Sequence, residues 1–225
     1  ILDDFPDLSK SNYSHKFDTK NDNKIASSST KIFSKNISDF FNFLNSHQFL
    51  DFLQNLTGIK SHLTSDPYFW GSGLHEIKKG GFLKIHADFN IHPLLKLNRR
   101  INILIYLNKN WKEEWGGHLE LWNKDMNKCE HKILPIFNRV VIFNTSDFSY
   151  HGHPTPLNCP SNFSRKSLAL YYYTNGRPEN EINKKLEVHN TLYQNRKNSD
   201  DDVVKTMVEF KKIFGKFYIR KKTTY

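Results

Sequence analysis

The length, composition and charge of this 225-residue chain exclude several classes of protein. The length favours a single domain, and an aromatic content of 14% is too high for a disordered chain. The longest apolar runs, such as residues 103–107, are far shorter than the ~18 residues that a membrane span requires. The net charge of +10 comes mostly from lysine and favours an acidic partner through long-range attraction.

The start of the chain and its two cysteines point to a reducing compartment. Residues 1–5 are acidic and offer neither a basic leader nor an apolar segment, so we expect no secretory signal. Cys129 and Cys159 lack the CxxC spacing of zinc ribbons and thioredoxin-like sites, and without a secretory signal they are expected to be reduced thiols. The prediction is a cytoplasmic protein that does not bind a membrane.

The first quarter of the chain is predicted to contain a loop-rich segment followed by helix. Residues 1–33 are polar and show no sustained apolar period. Residues 38–56 have the i, i+3, i+4 apolar spacing of an amphipathic helix, and Gly58 supplies a stop signal. Ser46 could cap a second helix, so one bent helix and two short helices both stay open.

After Gly58 the pattern becomes strand-like. About eight short runs rich in β-branched and aromatic residues are separated by Gly, Asn and Asp turn signals, with no long helix between them. This pattern predicts an antiparallel sandwich or barrel, such as a jelly roll, and not a parallel βαβ sheet. The runs cover residues 68–78, 82–87, 100–107, 118–122, 131–137, 139–144, 150–153 and 166–174.

The predicted organisation is one domain, mainly β with flanking helices (α+β). It has a loop and helical region at residues 1–66, a β core at residues 67–177, and a C-terminal polar segment and helix at residues 178–225. The helix is predicted from the apolar spacing of residues 201–214.

Two pairs of metal-capable residues stand two positions apart on predicted strands. His86 and Asp88 lie near the end of one strand, and His118 and Glu120 lie in the next strand but one. The spacing places both members of a pair on one face of the strand. Such pairs arise by chance in a chain with eleven histidines, so neither pair is diagnostic alone.

Further along the chain, His151 and His153 flank a glycine, and Arg165 opens an otherwise apolar strand. Two histidines and one carboxylate form the facial triad of non-haem Fe(II) oxygenases, which leaves metal positions open. A jelly-roll interior could bring His86 and Asp88 to a histidine near 151. From the residues alone, the alternative stays open that each histidine is a surface or satisfied core residue.

The order of the motifs is more specific than any one of them. His86-x-Asp88 is followed by residues 100–111, which contain Tyr-Leu-Asn-Lys-Asn-Trp, and then by a Gly-Gly turn before residues 118–122. A histidine near 151 and a basic residue about a dozen positions later complete the order. This arrangement resembles the 2-oxoglutarate and Fe(II)-dependent dioxygenases. Within them it is most similar to the prolyl 4-hydroxylase-like branch, which includes the hypoxia-sensing prolyl hydroxylases, over roughly residues 70–175.

The resemblance implies a double-stranded β-helix, a jelly-roll or cupin-like fold, with Fe(II) held by His86, Asp88 and a distal histidine. We expect the distal ligand to be His151 and not His153, because Pro154 ends the regular strand near His153. His153 is then expected near the mouth of the barrel, as a neighbour of the ligands or a substrate contact.

The resemblance also implies how the co-substrate is held. Arg165 is expected to pair with the far carboxylate of 2-oxoglutarate, with Lys166 as the substitute if Arg165 does not. Tyr106 occupies the position of a tyrosine that hydrogen-bonds the same carboxylate in the hypoxia-sensing relatives. The implied reaction consumes 2-oxoglutarate and O2, releases succinate and CO2, and hydroxylates a C–H bond, with ascorbate as a further candidate cofactor.

One departure limits what the resemblance implies about substrate, and one candidate pair is set aside. Glu76 stands where the hypoxia-sensing relatives have a tyrosine that contacts substrate and co-substrate, so prolyl specificity is not carried over. His118 and Glu120 lie in a segment that the family uses as a structural strand, so they are not expected to be ligands.

Two other functions stay open. The first is nucleic-acid dealkylation, but Tyr171 stands where that branch has a second arginine. The second is a non-oxidative, cupin-like isomerase or binding protein. The substrate itself is unknown, and a protein or peptide, an acidic small molecule and a glycan are the expected classes. Nucleic acid is a less favoured partner that stays open.

Overall fold

The fold consists of two facing β-sheets with two helices packed on the larger sheet. The computed structural model describes residues 1–19, 22–184 and 186–196. The helices are α1 (Lys35–Leu44) and α2 (His47–Thr57). The strands are β1 (His15–Thr19), β2 (Asp22–Ser27), β3 (Thr64–Ser65), β4 (Gly73–Lys78), β5 (Leu83–Ala87), β6 (Asn98–Tyr106), β7 (Leu119–Trp122), β8 (Cys129–Ile133), β9 (Arg139–Asn144), β10 (Tyr150–His153), β11 (Ser164–Thr174) and β12 (Leu192–Tyr193).

The larger sheet has the order β1-β2-β4-β11-β6-β9, with β3 also paired to β11, and the smaller sheet has the order β12-β5-β10-β7-β8. Neighbouring strands run antiparallel throughout the described part of the chain. The eight strands β4 to β11 match the predicted number, and most of their bounds lie within a few residues of the prediction. The mainly β, jelly-roll prediction is therefore confirmed.

The helical region is two short helices and not one bent helix. The Ser46 side chain accepts a hydrogen bond from the backbone N–H of Phe49 and so caps the start of α2. Gly58 ends α2 in the left-handed conformation, with φ of 69°. The apolar faces of both helices join the main core, and the buried Tyr172 hydroxyl donates to the Leu44 carbonyl at 2.9 Å.

The prediction of a loop-rich segment at residues 1–33 is wrong in part. Strands β1 and β2 form a hairpin there, and β2 pairs with the outer edge of β4. These strands contain few apolar residues, so they show no apolar alternation, and backbone pairing with β4 holds them in the sheet. The two-residue strand β12 was also not predicted in the polar segment after residue 178.

Four other expectations have different outcomes. Cys129 and Cys159 are both free thiols. Within the described ranges, no helix has the length and apolar character needed to cross a membrane. The helix predicted at residues 201–214 lies outside the described residues, and the division of the domain at residues 66 and 177 stays a prediction.

Candidate active site

Two neighbouring strands of the smaller sheet bring three metal-capable side chains together. His86 lies near the end of β5, Asp88 follows that strand, and His151 on β10 is the direct cross-strand partner of His86. One ligand atom from each residue lies within 4.8 Å of the others, and this is the metal-capable cluster found among the described residues. The Asp88 carboxylate lies 3.5 Å from His86 Nε2 and 3.3 Å from His151 Nε2.

Backbone carbonyls fix the orientation of both imidazoles. Nδ1 of His86 lies 2.7 Å from the Lys84 carbonyl oxygen, and Nδ1 of His151 lies 3.0 Å from that of Ser149. Because a carbonyl oxygen only accepts, each Nδ1 carries the proton and each Nε2 lone pair faces the cluster. Burial lowers the pKa of His151 to about 4, against the opposing charge of Asp88, so this ring is neutral near pH 7.

The carboxylate of Asp88 is held by an arginine and an amide. Burial alone would raise the pKa of Asp88, but the Arg99 guanidinium holds it well below its usual range. Asn102 Nδ2 donates to Asp88 Oδ2 at 2.8 Å, and Arg99 Nη2 lies 3.0 Å from the same oxygen. Arg99 also donates to the Asn102 side-chain oxygen and packs over the rings of Tyr171 and Phe89. The carboxylate is thus ionised and fixed in orientation.

A second buried cation lies on the facing sheet. Arg165 is the second residue of β11 and has 4% of its surface exposed, and its Nε donates to the Gly117 carbonyl at 2.9 Å. Its Nη2 donates to the Tyr106 hydroxyl at 3.1 Å. A Cβ at Gly117 would lie 3.1 Å from Arg165 Cδ, so the glycine allows the guanidinium to pass.

No acidic side chain of the described residues forms an ion pair with Arg165. Burial lowers the pKa of Arg165 and raises the pKa of Tyr106, because both charged forms lose solvation. A buried arginine beside a buried hydroxyl, with no protein carboxylate, is suited to bind a carboxylate of a ligand.

One cavity of about 290 Å³ between the sheets connects the three metal-capable residues to Arg165. Its wall also contains His153, His75 and Ser167. The half-exposed side chains of Phe17 and Trp70 line it as well, at 46% and 47% exposure, and form its rim. The cavity can therefore hold a metal ion and an extended dicarboxylate together.

Two sequence expectations about this cavity need correction. His153 is 2% exposed and so does not lie near the mouth. The reason is that β10 is a central strand between β5 and β7, which buries His153 as deeply as His151. Glu76 does not line the cavity, because alternation along β4 turns it to the opposite face, where Ser164 Oγ donates to it. His75 faces the cavity in its place.

The remaining candidates lie away from the cavity. Lys166 pairs with Glu76 at 3.4 Å on the outer face of β11. His118 Nε2 lies 2.7 Å from Glu113, and Glu120 pairs with Lys132 at 3.4 Å. None of them lines the cavity between the sheets.

Three polar residues that line this cavity were not predicted from the sequence. Ser167 was detectable, because it lies two residues after Arg165 on the same face of β11. Arg99 and Asn102 were not, because their odd spacing puts them on opposite faces of a regular strand. The register of β6 shifts between Arg99 and Ile101, and this irregularity brings the two side chains together.

Comparison with known proteins gives a family match for part of the chain and several similar solved structures. Residues 72–173 match the family model of the 2OG-Fe(II) oxygenase superfamily. Similar solved structures include a prolyl 4-hydroxylase from Phytophthora capsici, at 19% identity and a TM-score of 0.44, covering 77% of this chain and 52% of that one. The chain thus spans about half the length of that relative.

Two further structures are similar. A Trichoplax adhaerens prolyl hydroxylase, in complex with a hypoxia inducible factor peptide, has 18% identity and a TM-score of 0.49, covering 77% of this chain and 76% of that one. HygX from Streptomyces hygroscopicus, with nickel and 2-oxoglutarate bound, has 12% identity and a TM-score of 0.47. The similarity covers 80% of this chain and 83% of that one. The matched segment, residues 72–173, contains the two histidines, Asp88 and Arg165, so the candidate ligands and the buried arginine lie in the part of the chain that resembles the 2OG-Fe(II) oxygenase superfamily.

Proposed function

We propose that this protein is an Fe(II)- and 2-oxoglutarate-dependent dioxygenase of the prolyl 4-hydroxylase-like branch, which hydroxylates a C–H bond and releases succinate and CO2. One observation carries the proposal. A buried two-histidine, one-carboxylate cluster shares a cavity with a buried arginine that pairs with no acidic side chain of the described protein. That combination suits a metal together with a dicarboxylate. A metal-binding isomerase does not need the buried arginine.

The donor set fits Fe(II). His86, Asp88 and His151 would hold the metal through two neutral imidazoles and one carboxylate, the facial arrangement that leaves positions open for other ligands. When bound, iron and 2-oxoglutarate supply the activation of O2 and the oxidising power for C–H hydroxylation. Arg99 and Asn102 orient the carboxylate and supply a positive charge and a hydrogen bond to its Oδ2 oxygen.

The opposite end of the cavity would hold the co-substrate. Arg165 supplies a full positive charge for the far carboxylate, and the Tyr106 hydroxyl, which accepts from Arg165, can donate its own proton to the same group. Because both side chains are buried, their attraction for a carboxylate is weakly screened. The cavity walls also limit access of water to the reacting atoms.

The substrate would enter past Phe17 and Trp70, whose exposed rings offer flat apolar contacts at the rim. We propose a peptide, an acidic small molecule or a glycan as the substrate class, and ascorbate as a reductant that keeps iron in the ferrous state. Nucleic acid is the less favoured substrate.

The test is an anaerobic titration of the purified protein with Fe(II) and then 2-oxoglutarate. We expect one bound iron and the weak visible charge-transfer band of the 2-oxoglutarate chelate. Asp88→Ala should lose both, since it removes the one anionic ligand, whereas His118→Ala should keep both. Iron bound tightly with no band on addition of 2-oxoglutarate would contradict the proposal. Oxygen-dependent release of succinate then separates a dioxygenase from a cupin-like isomerase.

A further inference from the structure

The imidazole of His153 is buried in the catalytic cavity without a hydrogen-bond partner. The residue is 2% exposed, and neither Nδ1 nor Nε2 bonds to any described residue. Buried polar side-chain atoms are hydrogen-bonded in the large majority of cases. Two unpartnered nitrogens on one ring, facing a cavity built for ligands, therefore indicate that His153 serves a bound molecule.

The position of His153 selects one end of that cavity. On β10 its cross-strand partner is Leu83, whereas His151 pairs with His86 at the metal-capable end. His153 and Arg165 line the same cavity. Gly117, whose carbonyl accepts from Arg165, also lines the small adjoining cavity that His153 borders.

His153 is also poorly placed for two other roles. It does not belong to the cluster whose ligand atoms lie within 4.8 Å of one another, which contains His151. Its near-complete burial separates it from the half-exposed rim residues Phe17 and Trp70, where a substrate would first bind.

We propose, on the basis of the function proposed above, that His153 is a third contact to the far carboxylate of 2-oxoglutarate, beside Arg165 and Tyr106. The chemistry of the site leaves room for this donor. Arg165 donates from Nε to the Gly117 carbonyl and from Nη2 to the Tyr106 hydroxyl. Part of the hydrogen-bonding capacity of its guanidinium is therefore used within the protein. A carboxylate accepts several hydrogen bonds, and a neutral imidazole has one N–H to donate.

This assignment makes His153 a specificity-determining residue for the co-substrate. Its hydrogen bond forms only when the far end of the bound 2-oxo acid carries an acceptor. The natural comparison is 2-oxopentanoate, which has the same five-carbon chain and the same chelating end but a methyl group in place of the far carboxylate.

The experiment measures Kd for both acids by anaerobic calorimetry on the full chain loaded with Fe(II). His153→Leu should weaken 2-oxoglutarate binding by about 10- to 100-fold, the usual effect of losing one hydrogen bond to a charged group. The same variant should change 2-oxopentanoate binding by less than about 3-fold and leave iron binding intact. His153→Gln, which keeps an N–H donor, should recover much of the loss. His118→Leu is the matched control, because His118 borders the small adjoining cavity but not the main one. This variant should behave as wild type.

A second measurement needs no substitution. In the wild-type chain loaded with Zn(II), the nitrogen NMR signals of the His153 ring should shift when 2-oxoglutarate is added and stay in place with 2-oxopentanoate. Equal weakening of both acids in His153→Leu, or unchanged ring signals, would overturn the assignment. Loss of iron in His153→Leu would make His153 a metal ligand and overturn it too. If wild type binds iron but not 2-oxoglutarate, the proposed function itself fails, which is a different result.

Discussion

Adding a single methyl group at Gly152 should pull the candidate metal site apart. A Cβ at this position would lie 2.7 Å from the carbonyl oxygens of both Leu83 and Lys84 on the neighbouring strand β5. These are backbone atoms and cannot rotate away. Reaching the 3.4 Å of an ordinary contact requires β10 to move from β5 by about 0.7 Å, the difference between the two distances.

The displacement acts on stability and on metal binding at once. Overpacking of this kind costs about 1–3 kcal/mol, and we expect the upper half of that range because two rigid groups clash. His86 and His151 are cross-strand partners on these two strands, so they separate by a similar distance. Metal–ligand distances tolerate only about 0.2 Å, so Gly152→Ala should weaken iron binding by at least about tenfold.

The assay combines urea unfolding of the metal-free protein with an anaerobic Fe(II) titration. Gly80→Ala is the control, since its Cβ meets nothing within 4 Å and only its positive φ of 78° is strained. That variant should lose about 1–2 kcal/mol of stability and keep the wild-type iron affinity. If Gly152→Ala binds iron as wild type does, the contact between β10 and β5 does not set the position of His151.

Three further substitutions test separate parts of the molecule. Arg165→Ala should raise the Kd for 2-oxoglutarate by two or more decades and leave iron binding unchanged, because a buried carboxylate without its charge partner loses about 3–5 kcal/mol. An unchanged Kd in calorimetry would assign the binding of the far carboxylate to another residue. Tyr106→Phe should cost about 0.5–1.5 kcal/mol in the same measurement, the value of one hydrogen bond, and no loss would show that its hydroxyl serves only Arg165. Ser46→Ala should lower the free energy of unfolding in urea by about 1 kcal/mol through loss of the α2 cap, with no effect on iron, and a wild-type midpoint would contradict the cap.

The β core was predictable because its strands carry apolar side chains in repeating runs. The hairpin of β1 and β2 was not, because its strands contain few apolar residues and leave no apolar pattern in the sequence, although β2 pairs with β4 and buries Ile25 in the main core. The capping role of Ser46 was predictable only in part. Its residue type allowed a second helix, but only the observed hydrogen bond to Phe49 decides between two helices and one.

The candidate site divides along similar lines. The spacing of His86 and Asp88 follows the strand period, and the order of motifs places His151 and Arg165 after them. The contact of Arg99 with Asp88 was not predictable from spacing, because it depends on an irregularity in β6 and on stacking of Arg99 on Tyr171. The depth of His153 depends on β10 being central in its sheet, and strand order is not written in the local sequence.

Strands β2 and β12, which pair with β4 and β5 respectively, determine how much of the chain is needed to cover the sheet edges beside the site. The segment that matches the family, residues 72–173, contains neither strand. Strand β2 covers the outer edge of β4 in one sheet, and β12 covers the outer edge of β5 in the other. A chain cut to the matching segment would expose one unpaired edge in each sheet, both open to pairing with other chains. The second edge runs beside His86, whose ring lies 5.8 Å from that of Tyr193 on β12. Covering both sheet edges beside the site therefore requires strands on both sides of the segment that matches the family model.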